Sequence, residues 1–169
     1  MIANTTNTVP LWAGTLALVL ATPIHLGAAQ VARSTRQIAA DIGSNEVRKL
    51  VVLQYPERAG TFKSVTPADI NRYYQFRTEV RVLPVWYRTA ELKAVLAEPN
   101  QHAYTVAPGD FRWGCLFYDR GNHLLHSIYI NPLVSTCLVD GRPSALPPRL
   151  LPWLRTVFGS ELQRFGASR

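Results

Sequence analysis

Charge is missing from the first 29 residues. Met1–Ala29 contain no Asp, Glu, Lys or Arg, whereas all 29 formal charges, 18 basic and 11 acidic, fall between Gln30 and Arg169. Cysteine is scarce as well: two residues rule out a disulfide-dense scaffold and any knuckle of paired cysteines around zinc. Also absent are a Gly-rich phosphate loop, a Gly-x-Ser-x-Gly elbow and a two-His metal motif on a helix. The common nucleotide-binding, hydrolase and metalloprotease signatures go with them. No run of five basic residues occurs, and Arg48-Lys49 is the one adjacent basic pair. The net charge of +7 is therefore dispersed, which speaks against nucleic acid as the partner.

What the leader does contain is an apolar run, Leu11–Leu20, followed by the helix-breaking Pro23 and the small residues Gly27-Ala28-Ala29. These fit a secretory signal peptide cleaved near Ala29, although the n-region carries no Lys or Arg. A retained anchor would use Leu11–Ala29, close to the ~20 residues that span a bilayer, and Arg33 and Arg36 would then hold the domain in the cytoplasm. A buried helix of the folded domain is the third reading, and it lacks a polar stripe and charged caps. The balance favours export to an envelope, periplasmic or secreted location. An inner-membrane anchor through residues 1–29 is the alternative.

Past the leader, Val31–Ser44 is rich in Ala, Ser, Thr and Gly without a wide apolar face, so residues 30–47 read as a linker. Residues 48–169 read as one globular domain, of a size that buries a sizeable core. Lys49–Tyr55 is β-branched and nearly continuously apolar, as a central strand is. Thr66-Pro67-Ala68-Asp69 supplies an N-cap hydroxyl, a proline at the first helical position and an acid in the first turn, starting a short helix that ends near Tyr73. From Tyr74 to Val82 the pattern alternates, predicting a half-exposed strand. Arg88–Glu98 predicts a second helix with Thr89 as its cap, and His102–Val106 another strand.

Arg112–Ile130 is the densest β signal, two aromatic and β-branched runs joined by Asp119-Arg120-Gly121-Asn122. Ser135–Val139 predicts a further strand, Asp140-Gly141-Arg142 a turn, and the stripe Leu150, Leu151, Trp153, Leu154, Val157, Phe158, Leu162 and Phe165 a C-terminal helix packed on the sheet. The expected fold is α+β: a single two-layer domain with a mainly antiparallel sheet, preceded by the signal or anchor segment.

Candidate chemistry is sparse. Asp110, Asp119 and Asp140 sit in predicted turns beside Gly and have structural explanations. His123 and His126, three apart on a strand, point to opposite faces and cannot chelate one metal ion. A thiol-dependent enzyme would use Cys115 and His126, which face each other if the hairpin loop is Arg120-Gly121. With a three-residue loop ending at Gly121, the αL position suits glycine and Cys115 faces Leu125 instead. The apolar surroundings make a core cysteine the better reading. Cys115 and Cys137 are candidates for a disulfide if the protein is exported, although a simple meander puts their strands two spacings apart.

Leu116, Tyr118 and Tyr129 give the hairpin a second apolar face, so either helices cover both faces or one face binds a ligand. The sequence thus favours a small exported, non-catalytic binding or adaptor domain. It would use its sheet and Arg-rich rim on a protein or small-molecule partner, with no cofactor and no metal. The alternatives are the thiol enzyme and a membrane-tethered structural component of an envelope assembly.

Overall fold

The computed structural model describes residues 35–56, 64–99, 109–134 and 136–166, and for 160–166 the backbone alone. The leader Met1–Ala29, the expected strand His102–Val106 and the side chains of Leu162 and Phe165 lie outside the described residues. In chain order the elements are α1 (35–43), β1 (Lys49–Gln54), α2 (Pro67–Tyr73), β2 (Phe76–Val80), α3 (Thr89–Leu96), β3 (Trp113–Tyr118), β4 (Leu124–Asn131), β5 (Thr136–Val139), β6 (Arg142–Ala145) and α4 (Leu150–Gly166). The strands form one antiparallel sheet in the order β2-β1-β3-β4-β5-β6, so the fold is α+β.

Alternation along β1 divides the interior in two. Leu50 and Val52 join the larger core, built from Ile38 and Ile42 of α1, Leu92 and Leu96 of α3, Trp113 and Phe117 of β3, Ile128 and Ile130 of β4, and Leu150, Leu154 and Phe158 of α4. Val51 and Leu53 face the other way, against Val65, Ile70 of α2, Phe111, Leu116 and Tyr129. Helices therefore lie on both faces of the sheet, with the short α2 alone on the second, and the expected two layers gain a partial third. Trp86 fastens α4 through Trp153 and Phe158, with ring centroids at 5.8 and 6.2 Å.

The caps follow the sequence closely at α2 and differently at α3. Thr66 Oγ1 accepts from the Asp69 N–H at 3.2 Å while Asp69 Oδ2 accepts from the Thr66 N–H at 2.9 Å, a reciprocal capping box. At α3 the capping residue is Arg88, which makes no side-chain cap, and the Thr89 hydroxyl instead donates back to the Leu83 carbonyl.

Several expectations need correction. The stretch read as a linker is, from residue 35, the helix α1, with Ile38 and Ile42 wholly inside the core. Its apolar face is narrow, three residues wide, because the neighbouring Ala and Ser are small; that is why it escapes a search for a broad stripe. Residues 142–145, read as the exit of a turn, form β6. Asp140 and Gly141 both take positive φ, 49° and 75°, the turn that matches the twist of a tight hairpin, and Val139 pairs with Arg142. Pro143 sits in this edge strand, where proline is tolerated.

The third correction is the β3–β4 register. Cys115 faces neither His126 nor Leu125 but Ile128, and His126 faces Phe117. The Asp119 carboxylate accepts from the His123 N–H at 2.8 Å, and the left-handed position falls on Asn122 (φ 64°) rather than on Gly121. A bulge between Phe117 and Tyr118 then adds one more residue of offset. A Cβ at Gly121 would stand 2.8 Å from the ring of His123, an exposed side chain that would have to move aside.

The proposed disulfide does not form. Both cysteines are free and buried, on strands separated by β4. Burial pushes both thiols up to about 12, with the nearby Cys137 adding to the shift of Cys115. Cys137 Sγ lies 3.5 Å from the carbonyls of Ser144 and Ala145, and the thiol donates there. Replacing Cys115 by Ser should cost about 1–3 kcal/mol, the range for burying a hydroxyl without a sure partner. Urea unfolding of the two proteins measures it. Native protein should resist iodoacetamide at both cysteines and lose that resistance on unfolding.

Candidate functional site

Antiparallel order brings three distant stretches of chain to one end of the sheet. The start of β1 lies beside the end of β2 and the end of β3, as the pairs Leu50–Val80 and Lys49–Tyr118 show. Arg48 is fixed there by its backbone: its N–H donates to the Tyr118 carbonyl and its carbonyl accepts from the Leu83 N–H, both at 2.8 Å. Arg81 and Val82 follow β2, and Arg120 and Asn122 sit in the β3–β4 turn. With Lys49, Glu79 and Asp119 these residues line an open cleft of about 470 Å³.

Four cations and two carboxylates face this space, but the acids are already occupied. Glu79 is paired with Arg77 on its own strand and lies 3.8 Å from Arg81. Asp119 Oδ2 is 3.0 Å from His123 Nδ1, and the hydrogen bonds from that ring and from the His123 N–H hold its carboxyl below the usual range. Lys49 Nζ donates to Asn122 Oδ1 at 2.6 Å and stands 4.4 Å from the centre of the Tyr118 ring. The guanidinium groups of Arg48 and Arg120 have no ion pair or side-chain hydrogen bond among the described residues. Two unclaimed planar cations beside a neutralised acid suit an anion that can take two N–H donors at once. Its polar lining is Arg, Lys, Asn and the two paired carboxylates.

The residues singled out from the sequence lie elsewhere. Cys115 is in the large core, and the structure does not bring His126 to it. His126 is instead clamped between two acids: Nε2 lies 2.7 Å from Asp41 Oδ2 of α1, and Nδ1 lies 2.9 Å from Asp140 Oδ2 of the β5–β6 turn. Asp140 Oδ1 also accepts from the Ser127 N–H at 2.6 Å, and Gln37 donates to Asp41 at 2.6 Å. The Asp140 hydrogen bond raises the His126 pKa, opposed by partial burial and reinforced by Asp41. Burial would raise the Asp140 pKa, and the hydrogen bonds from His126 and Ser127 outweigh it and lower it. Both ring nitrogens are occupied, which leaves His126 a fastener of α1 to the sheet rather than a base.

Leu116 and Tyr129 are buried beneath α2, where the Tyr129 hydroxyl exchanges hydrogen bonds with the Asn71 amide at 2.7 and 3.0 Å. Tyr118 is half-buried under Lys49 at the rim of the cleft. Of the three, it alone contacts a residue lining the cleft, Lys49. Among the described residues no group of His, Cys, Asp and Glu could hold a metal ion, and no helix is long and apolar enough to cross a membrane. No family model matches the chain, and neither a curated protein nor a solved structure matches it.

Proposed function

We propose that this is a non-catalytic binding domain that holds an anionic group of its ligand, a phosphate or a carboxylate, in the cleft at the β1–β2–β3 end of the sheet. The observation that carries the reading is the pair Arg48 and Arg120. Their backbones belong to a sheet end and to the β3–β4 turn, and among the described residues neither guanidinium is paired with an acid. Positive groups left unpaired cost repulsion, and an anion spanning them relieves it. The buried thiol of Cys115 and the doubly engaged His126 favour binding without chemistry. The charge-free leader favours export as the setting in which the ligand is met.

Titration of the full chain with inorganic pyrophosphate and with a short poly-glutamate peptide, followed by the Arg side-chain NMR resonances, tests the reading. Shifts should concentrate on Arg48, Arg81 and Arg120, and binding should weaken with salt as charges more than ~10 Å apart are screened. Changing Arg48 and Arg120 together to Ala should weaken binding about 100-fold, at ~1.5 kcal/mol for each charged hydrogen-bonding partner. If neither probe moves those resonances, or if the double variant binds as the parent does, the cleft is not the binding site.

A further inference from the structure

The cleft at the start of β1 lies beside exposed apolar side chains, for which a free anion has no use. Building on the anion-binding reading above, we infer that this end of the sheet docks on a membrane surface of anionic phospholipid, with headgroup phosphates in the cleft and Val82, Val85 and Leu124 immersed beside them. Val82 lines the cleft and is 52% exposed. Val85, 79% exposed, closes a 3-10 turn over Leu83–Val85, and its N–H donates to the Val82 carbonyl at 3.3 Å, so both valines project from one tight turn. Leu124, also 52% exposed, pairs with Tyr118, which pairs in turn with Lys49 of the lining. The strand order β2-β1-β3-β4 thus sets apolar residues on either side of the cations.

Charge and apolar surface together select the partner. Arg48, Arg81 and Arg120 face the cleft, and its two carboxylates are taken, Glu79 by Arg77 and Asp119 by His123. Asp41 and Asp140 are held by His126, which leaves Glu46, exposed in the turn before β1, as the remaining acid at this end among the described residues. Guanidinium forks take phosphate oxygens two at a time, and a basic residue held near an anionic bilayer strengthens partition about fivefold. A soluble phosphate would satisfy the arginines and leave the three apolar side chains in water. An anionic bilayer supplies both halves of the match, phosphates at the level of the cations and acyl chains just beneath them.

Pelleting of the full chain with vesicles of phosphatidylcholine, and of equal parts phosphatidylcholine and phosphatidylglycerol, tests this. Residues 1–29 carry no Asp, Glu, Lys or Arg, so their partition does not tell the two lipids apart and the difference reports the domain. Partition onto the anionic vesicles should be about 100-fold stronger, at about fivefold for each of three arginines. Arg48→Ala with Arg120→Ala should lower that preference about 25-fold. Arg36→Ala with Arg72→Ala, which takes the same charge from the start of α1 and the end of α2, should lower it less than about threefold. Val85→Ser with Leu124→Ser should weaken binding to the anionic vesicles about tenfold and leave the pyrophosphate shifts of the arginines as in the parent. Far-ultraviolet circular dichroism checks that each variant is folded. Equal pelleting with both lipids, while pyrophosphate still moves Arg48 and Arg120, would overturn the membrane inference and leave the anion reading standing. Shifts with poly-glutamate and no preference for anionic vesicles would give the cleft to an acidic protein, and failure of every probe would remove both readings. A preference lowered equally by the two arginine pairs would come from the net charge of +7, and serine variants that pellet as the parent does would show contact without immersion; either result overturns the inference.

Discussion

Changing Ile38 and Ile42 together to alanine is expected to lower the stability of the fold by about 4–8 kcal/mol, at 2–4 kcal/mol for each large-to-small change in a packed interior. The two side chains are 0% and 2% exposed and meet the strands' core face beside the α3 and α4 side chains. A loss of that size is comparable with the whole stability of a domain this large. The double variant should therefore be largely unfolded at room temperature, and each single variant measurable by urea denaturation. Were residues 30–47 a tether, the same changes would be silent. A double variant that melts with the parent would detach α1 from the domain and return the stretch to a linker.

His126 carries the second large effect, and its sign depends on pH. Its side chain is 15% exposed and sits between two carboxylates, so His126→Ala leaves Asp41 and Asp140 without their shared donor. A cost of about 2 kcal/mol is expected for two charge-assisted hydrogen bonds at a partly wet site. The folded-state pKa of His126 is raised, so its contribution is complete below the ordinary imidazole value of about 6.5 and is lost as pH climbs through the higher folded value. Asp140 runs the other way. Its folded pKa is lowered, so its contribution is present above the ordinary carboxylate value of about 3.9 and is lost as pH falls through the lower one. The gap in stability between parent and His126→Ala should be widest between about pH 4 and 6.5 and should shrink as pH rises above that window. Equal gaps across that range would show that the imidazolium charge plays no part in holding α1.

Where local chemistry decides, the sequence reads well. The capping box at Thr66 and Asp69, the continuous apolar run of β1, and the stripe that buries Leu150, Leu154 and Phe158 each contain their own explanation within a few residues. The hairpin register does not, because it depends on whether Gly121 or Asn122 takes the left-handed position. The Asp119 carboxylate and Lys49 together settle that, and Lys49 comes from a strand far away in the sequence. β6 was hidden by Pro143, which counts against a strand except at an edge, and an edge is a property of the finished sheet.

The cleft was the least legible of all. Arg48, Arg81 and Arg120 stand individually at strand ends, where a charge is ordinary. They become neighbours only because β1 lies between β2 and β3. The one local signal was Arg48-Lys49, the single adjacent basic pair, at the mouth of the central strand. Alternation puts His126 on the core side, but its partners Asp41 and Asp140 come from a helix and a turn that no spacing rule connects to it.

Pro143 also sets a limit on growth. A sheet open at both edges could add copies without end, each new edge serving as template for the next, and the product would be a fibre. Here β6, an edge strand among the described residues, has lost a donor to the proline ring, which makes it a poor template for a further strand.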